Sequence, residues 1–412
     1  MKRFVIMIKP ASSLCDMRCA YCFYHDVAAS RQTASMGVMG RETAAALIKN
    51  VYCVLETGDE VTFAFQGGEP GLAGLDFYRF FTGEAKKASP SGVRTAYAIQ
   101  TNGLTVDGAW CGFFKDNDFL VGLSMDGDAA LHNQNRVDAR GRGTYNRVAG
   151  AKKTLDRHGV PYNILCVLTA ESARRATRIW NFIIKENIGH IQFIPCLESL
   201  GANVSRSMEL SDAANVAQPP DPASGANAAR SPDAAANAAR SPDAAANAAQ
   251  PPDPASGAVL DGDRFYRFYS ELFPLWKSEA ARGRLINVRL FEDIAGVYIS
   301  GRGITCGISG RCMPQIVVEA DGGAYPCDFY VLDKYRVADL SRQTLKEVFE
   351  AVVGCGFIGD KPEPPAVCAG CAYFSWCRGG CKRMARAVYG EHCGMKRFLD
   401  ECLRELLSTY RV

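Results

Sequence analysis

The 412-residue sequence predicts an α/β fold, a partial (β/α)6 TIM-like barrel followed by a cysteine-rich carboxyl-terminal domain. Three observations carry this. Strand-like and helix-like segments alternate through the first half, polar motifs recur just past the strand ends, and cysteines crowd the last quarter. Strands alternating with helices argue for βαβ units and a parallel sheet. Six such units fall short of the eight that close a barrel.

The predicted strands cover residues 4–8, 61–65, 94–99, 119–124, 162–168 and 190–194. Helical patterns lie between them at 41–55, 75–88, 107–115, 144–158 and 173–187. Each crossover is expected to be right-handed. In such folds the carboxyl ends of the strands carry the site.

Just after the first strand stand Cys15, Cys19 and Cys22, spaced C-x3-C-x2-C and followed by Phe23 and Tyr24. Iron–sulfur clusters are held by thiolates at short spacings. Three thiolates leave one iron of a cubane without a protein ligand, and an open iron can bind a small molecule. Structural zinc sites prefer two ligand pairs, and this triplet has no adjacent fourth ligand.

The chain carries 17 cysteines, 48% hydrophobic residues and a formal charge of +3. The hydrophobic content suffices for a large core. The mixed charge gives no polyanion-binding character, so no nucleic-acid partner is expected. The apolar run at the start is too short for a signal peptide. No stretch reaches the length of a membrane span, so no membrane partner is expected. A cytoplasmic location is expected, where thiols stay reduced and dense cysteines point to metal or redox chemistry.

Past residue 200 the composition shifts. AQPPDPASGA occurs from Ala217 and again from Ala249, and NAARSPDAAA occurs from Asn227 and again from Asn237. Residues 211–258 contain no aromatic and too little apolar surface to offset ordering entropy. They read as a low-complexity, disordered insertion. The expected organisation is therefore a barrel at 1–200, this insertion, a helical linker at 259–305, a cysteine-rich domain at 306–395 and a last helix at 396–412.

Nine cysteines fall in that domain; Cys355 lacks ligand spacing, and the other eight are Cys306, Cys312, Cys327, Cys368, Cys371, Cys377, Cys381 and Cys393. These eight match two four-cysteine sites. Fully ligated clusters would move electrons rather than bind substrate. Zinc remains open on spacing alone, because C-x2-C with two later cysteines is also a zinc-ribbon pattern. The other cysteines, such as Cys53 and Cys166, lack ligand spacing and read as small buried hydrophobes.

Motifs follow the strands. Gln66, Gly67, Gly68, Glu69 and Pro70 come after the second, where paired glycines allow close backbone approach to a ligand and Glu69 offers acceptors for an ammonium. Thr101-Asn102-Gly103 follows the third, and Ser124-Met125-Asp126-Gly127 the fourth, with His132 and Arg136 shortly beyond. Arg136 suits a ligand carboxylate or a surface salt bridge. Asp328, directly after Cys327 and beside Phe329 and Tyr330, is a candidate general base.

Together these residues resemble a known family. Cys15, Cys19 and Cys22 with Gly67-Gly68-Glu69-Pro70 resemble the radical S-adenosylmethionine enzymes, and the later cysteines resemble the SPASM extension with two auxiliary [4Fe–4S] clusters. IKPASSLCDMRCAYCFYH from Ile8, FAFQGGEP from Phe63, VGLSMDG from Val121 and YPCDFYVLDK from Tyr325 resemble the anaerobic sulfatase-maturating enzymes. The resemblance spans the chain except its Ala/Pro-rich insertion. It implies an oxygen-independent oxidation of a sulfatase Cys or Ser to Cα-formylglycine, begun by a 5′-deoxyadenosyl radical.

The resemblance also implies roles. Cys15, Cys19 and Cys22 would bind the catalytic [4Fe–4S] cluster, whose open iron chelates S-adenosylmethionine. Tyr21, Gln66, Gly67, Gly68, Glu69, Ser124 and Arg136 would help hold that cofactor. Cys306, Cys312, Cys327 and Cys381 would form the first auxiliary cluster, and Cys368, Cys371, Cys377 and Cys393 the second. Asp328 would be the base, with Tyr24 near the substrate. The implied partners are a sulfatase polypeptide and an electron donor such as a flavodoxin or ferredoxin. A different SPASM-type peptide modification, making thioethers or crosslinks, is the alternative reaction. A multi-cluster electron carrier or a zinc-stabilised module is the non-enzymatic one.

Overall fold

The computed structural model describes residues 1–200, 259–301 and 305–410. The predicted insertion at 211–258 lies outside the described residues.

The centre is a mostly parallel sheet. Its strands are β1 (Arg3–Ile8), β3 (Glu60–Phe65), β4 (Arg94–Thr101), β5 (Phe119–Ser124), β7 (Tyr162–Leu168) and β8 (His190–Pro195), paired in that order. These are the six strands predicted. A separate two-stranded antiparallel sheet pairs β2 (Met17–Cys19) with β6 (Arg136–Asp138).

The sheet does not stop at six. Short β9 (Asn287–Val288) adds to β8, with Ile191 opposite Val288. At the other edge β10 (Ile316–Val318) runs parallel to β1, with Ile6 opposite Ile316, and β11 (Gly323–Tyr325) and β12 (Ala338–Asp339) follow antiparallel. Among the described residues the sheet therefore has ten strands. A six-stranded sheet would leave β1 and β8 as open edges with unpaired backbone groups. The cysteine-rich region caps one edge, so its cysteines are fixed relative to the first strand. Strands of two or three residues carry no readable alternation, which hides them from sequence patterning.

The two faces of the sheet differ in side-chain size. Val61, Phe63, Phe65, Tyr97, Ile99, Phe119 and Val121 are buried against the helices. Phe63 meets Phe81 edge-on at 5.1 Å, and Tyr97 stacks on Phe119 at 5.1 Å. The alternate positions hold Thr62, Ala64, Ala96, Ala98, Gln100, Gly122 and Ser124, all partly exposed. Small and polar side chains on this face leave room on the concave side, where a ligand of a barrel sits.

The helices follow their sequence signals. Leu75–Ala88 buries Phe77, Tyr78 and Phe81, and Asp107 caps Gly108–Asp116 by accepting from the Trp110 amide at 3.0 Å. Gly159, with φ +64°, ends Tyr145–His158 in the left-handed conformation that suits glycine. The long helix Gly262–Ala281 packs Phe268 against Phe193 of β8, and the last helix, Gly394–Thr409, lays Phe398 on Tyr269. Among the described residues no helix is long and apolar enough to cross a membrane.

Candidate active site and metal centres

The first three cysteines lie around one point. Cys15 is in the loop after β1, Cys19 ends β2, and Cys22 caps the helix Phe23–Ala29. Burial pushes all three thiols up, Cys19 to about 12, and each of Cys15 and Cys19 is raised further by its neighbours in the triplet. Thiols this close and this reluctant to ionise alone suit a site where a metal takes the proton's place. N–H donors already point at the sulfurs: the amides Met17 N at 3.4 Å and Asn102 Nδ2 at 3.8 Å from Cys15, and the guanidinium Nη1 of Arg136 at 3.9 Å from Cys19. Such donors tune iron–sulfur clusters.

The Gly-Gly-Glu-Pro segment serves this loop. Gly68 N donates to Ser12 O at 2.9 Å and Glu69 N to Leu14 O at 2.7 Å. A Cβ on Gly68 would lie 2.2 Å from Leu14 O, and Gly67 has φ +125°. The glycines thus admit the chain's own cysteine loop, where the sequence suggested approach to a ligand. Glu69 is fully buried and braces the rim. Its Oε1 accepts from Gly71 N and Thr101 Oγ1, both at 2.8 Å, and its Oε2 from Asn102 N at 2.7 Å. Three of a carboxylate's roughly four acceptor positions are used within the chain. Burial still raises its carboxyl to about 7 against these hydrogen bonds. Through Asn102 this brace reaches Cys15. Gln66 leaves the same strand end toward Asp328, and Ser124 Oγ accepts from Gln100 Nε2 at 3.0 Å.

Arg136 sits directly opposite Cys19 in the β2–β6 ladder. It is buried, so the surface salt bridge is excluded. Its Nε donates to Asp126 Oδ2 at 2.9 Å, and Tyr21 donates its hydroxyl to the same oxygen. Asp126 Oδ1 accepts from Val167 N at 2.9 Å. Burial opposes the Arg136 charge, but Asp126 and Tyr21 more than offset it. His132 packs behind, its Nε2 3.0 Å from Thr144 Oγ1, with burial and Arg136 pushing its pKa down to about 4. It is a neutral core histidine. Asp126 is the hub, and only tertiary contacts reveal it.

Asp328 joins the two halves. Its Oδ2 accepts from Tyr24 Oη at 2.7 Å and Gln66 Nε2 at 2.9 Å, while among the described residues its buried Oδ1 has no hydrogen-bond partner. Burial pushes its carboxyl up, with Lys9 and the Tyr24 hydrogen bond pulling it partly back. Lys9 Nζ lies 4.7 Å above the Tyr24 ring and 3.4 Å from Glu319 Oε1, which also receives Arg31 Nη1 at 2.7 Å. Lys9 stands in the motif from Ile8, but its ion-pair partner Glu319 is some three hundred residues away, so local spacing does not reveal the pair. Replacing Tyr24 with Phe removes one of the two donors on Oδ2. Hydrogen bonds to charged groups are worth roughly 1.5–3 kcal/mol, so the turnover of Tyr24→Phe should fall about ten- to a hundredfold in single-turnover assays.

The eight later cysteines sort into two groups. Cys306 is raised by Cys381 and Cys312, and Cys327 by Cys381 and Cys306. Cys377 is raised by Cys393, Cys371 and Cys368. The second group lines one cavity with Val367, Tyr373, Phe374, Tyr389, Met395 and Lys396. Cys381 thus leaves its near neighbours in sequence for Cys306, Cys312 and Cys327. Among the described residues no three His, Cys, Asp or Glu side chains are gathered tightly enough to hold a single ion.

Residues 311–372 match the family model SPASM, an iron-sulfur cluster-binding domain. The cysteine-type anaerobic sulfatase-maturating enzyme of Clostridium novyi is 33% identical over 93% of this chain and 89% of its own length. The chain belongs to the anaerobic sulfatase-maturating enzymes. The serine-type enzyme of Klebsiella aerogenes is 27% identical over 98% of the chain and 86% of its own. A solved structure of anSMEcpe with bound AdoMet superposes with a TM-score of 0.80 at 30% identity, covering 100% of this chain and 96% of that one. Another, with AdoMet and the Cp18Cys peptide, gives 0.77 with 98% of each chain covered. SuiB of Streptococcus suis with its precursor peptide, at 14% identity and a TM-score of 0.56, shares the fold, covering 92% of this chain and 72% of its own.

Proposed function

We propose that this enzyme oxidises a cysteine or serine side chain of a sulfatase polypeptide to Cα-formylglycine without oxygen, using S-adenosylmethionine and three [4Fe–4S] clusters. The observation that carries the reading is Asp328: a buried carboxylate with one oxygen free, held by Tyr24 from the catalytic cysteine segment and Gln66 from the barrel rim.

Cys15, Cys19 and Cys22 would hold the catalytic cluster, with the two four-cysteine groups holding the auxiliary ones. When bound, cofactor and clusters supply a carbon radical that removes one hydrogen atom and a sink for one electron. The protein's part is then defined. Asp328 Oδ1 takes the side-chain proton as the carbon–heteroatom double bond forms. Tyr24 and Gln66 keep Oδ2 occupied, so the basic lone pairs of Oδ1 face the substrate. Burial raises the Tyr24 hydroxyl, so it stays a donor. The small side chains of the concave face would leave space for the adenosyl group, which Gln66 and Ser124 at the strand ends, with Tyr21 and Arg136, would help hold. Glu69, Gly67 and Gly68 support it indirectly by fixing the cysteine loop. Water completes the reaction of a cysteine substrate by replacing sulfur with oxygen.

The higher identity to cysteine-type relatives supports a cysteine peptide as the better substrate. Anaerobic turnover of matched Cys and Ser sulfatase-motif peptides, read by mass spectrometry, tests the function. Aldehyde formation on either supports it; a thioether or crosslink on the peptide overturns it. The electron donor is a small redox protein such as a flavodoxin or ferredoxin. The location is cytoplasmic, in keeping with seventeen cysteines none of which is disulfide-bonded. Replacing all eight later cysteines with alanine should lower iron from about twelve to about four atoms per chain, as cubane clusters require. Zinc in those sites of the parent protein would remove the electron-sink role.

A further inference from the structure

Arg383 follows Cys381 by two residues and is fully enclosed, with 4% of its surface exposed. Its backbone N–H points at Cys381 Sγ from 3.4 Å. Its Nη2 donates to Glu198 O at 2.5 Å, beyond the carboxyl end of β8. The nearest carboxylate oxygen, Asp26 Oδ2 on the helix after Cys22, is 3.7 Å away and already accepts from Leu200 N at 2.6 Å. Among the described residues, the buried Nε and Nη1 have no hydrogen-bond partner. The neighbouring Lys382 differs. Its ammonium donates to Phe357 O at 2.8 Å and Asp360 O at 2.7 Å and lies 3.4 Å from the Phe357 ring centroid. Arg383 therefore brings to the first auxiliary site, between it and the catalytic cysteine segment, a positive charge countered at a distance by Asp26 and by Glu198, whose carboxylate is paired with Arg386. The carboxylates facing that site are Asp328, beside Cys327, and Asp293, near Cys306.

We propose that Arg383 is a positioning residue for electron removal, its buried guanidinium charge holding the first auxiliary cluster at a potential where it accepts the substrate's electron. The proposal rests on the cluster assignment above. Converting the substrate CH2–SH or CH2–OH to the double-bonded product removes one hydrogen atom, one proton and one electron. The hydrogen atom goes to the cofactor-derived radical, the proton to Asp328 and the electron to the oxidised auxiliary cluster. Reduction adds negative charge to that cluster. A fixed cation with few competing partners in a low-dielectric interior favours the reduced form, and net charge and hydrogen bonds set cluster potentials.

The test is a redox titration of the cluster-loaded enzyme followed by electron paramagnetic resonance. Signals are assigned with variants lacking the cysteines of one auxiliary site. Arg383→Met should move the first auxiliary potential negative by a tenfold change in electron affinity or more, about 59 mV for one electron. The second auxiliary and catalytic potentials should stay in place, and Arg383→Lys should stay near the parent value. Asp26→Asn keeps an acceptor for Leu200 N but removes the counter-charge, so it should move the same potential positive. That opposite sign decides the matter should Arg383→Met fail to load its clusters. Unchanged potentials, or equal shifts at both auxiliary sites, overturn the proposal. Absence of iron from the auxiliary sites of the parent enzyme would instead overturn the cluster assignment.

Discussion

Enzyme carrying Asp328→Asn cleaves S-adenosylmethionine under reducing conditions at close to the parent rate but forms formylglycine about a hundred- to ten-thousandfold more slowly, the range general-base catalysis contributes. The substitution is nearly isosteric. The asparagine carbonyl can still accept from Tyr24 and Gln66, which hold Oδ2 at 2.7 and 2.9 Å in the parent. What it loses is the proton acceptor at the unpartnered Oδ1; the amide NH2 there is a donor and cannot take a proton. The two readouts separate base chemistry from cofactor chemistry. Parallel measurement of 5′-deoxyadenosine and of aldehyde-bearing peptide checks both. Equal loss of the two products would show that Asp328 supports the cofactor site instead, and unchanged aldehyde yield would remove it as the base.

Gly68→Ala should abolish the catalytic cluster while sparing the others. The added methyl would stand 2.2 Å from Leu14 O and 2.7 Å from Ser13 C, both backbone atoms. No rotamer change relieves an overlap with backbone, so the loop before Cys15 must move, and with it the hydrogen bonds Gly68 N to Ser12 O and Glu69 N to Leu14 O. A cluster held by only three thiolates tolerates little displacement of one of them. Iron should drop by about four atoms per chain, with turnover lost and the auxiliary signals retained. Gly83→Ala is the control. It lies inside the helix Leu75–Ala88 with nothing within 4 Å of its added carbon. It should leave iron content unchanged and stabilise the helix by up to about 1 kcal/mol. Full iron loading in Gly68→Ala would show that the loop can yield.

The six central strands were legible because each is a run of β-formers bounded by turn residues, and every one lies within a residue or two of its expected place. The long helices were legible from their 3.6-residue periodicity and caps, as at Asp107. Apart from the helix Leu345–Gly354, the segments missed were short, among them the helix Phe23–Ala29, the β2–β6 pairing and the strands β9 to β12. Elements this brief are stabilised by partners rather than by local preference, so local pattern does not announce them.

The site divides the same way. Chain spacing alone exposes the cysteines and marks Asp328 as unusual, since ligand residues must be close in sequence or set in recognisable runs. The grouping of the later thiols came from the family resemblance and not from spacing, whereas why Gly68 must be glycine, and that Glu69 and Arg136 are committed to Thr101, Asn102 and Asp126, were decided only in three dimensions. These are contacts between residues tens to hundreds of positions apart, brought together by the β1–β10 pairing and by the return of Cys381 to Cys306. The sequence by itself determined which chemical groups are present and on which element each sits. Packing decided which donor meets which acceptor, because a buried polar group takes whatever partner the fold places within reach, and no local pattern encodes that choice.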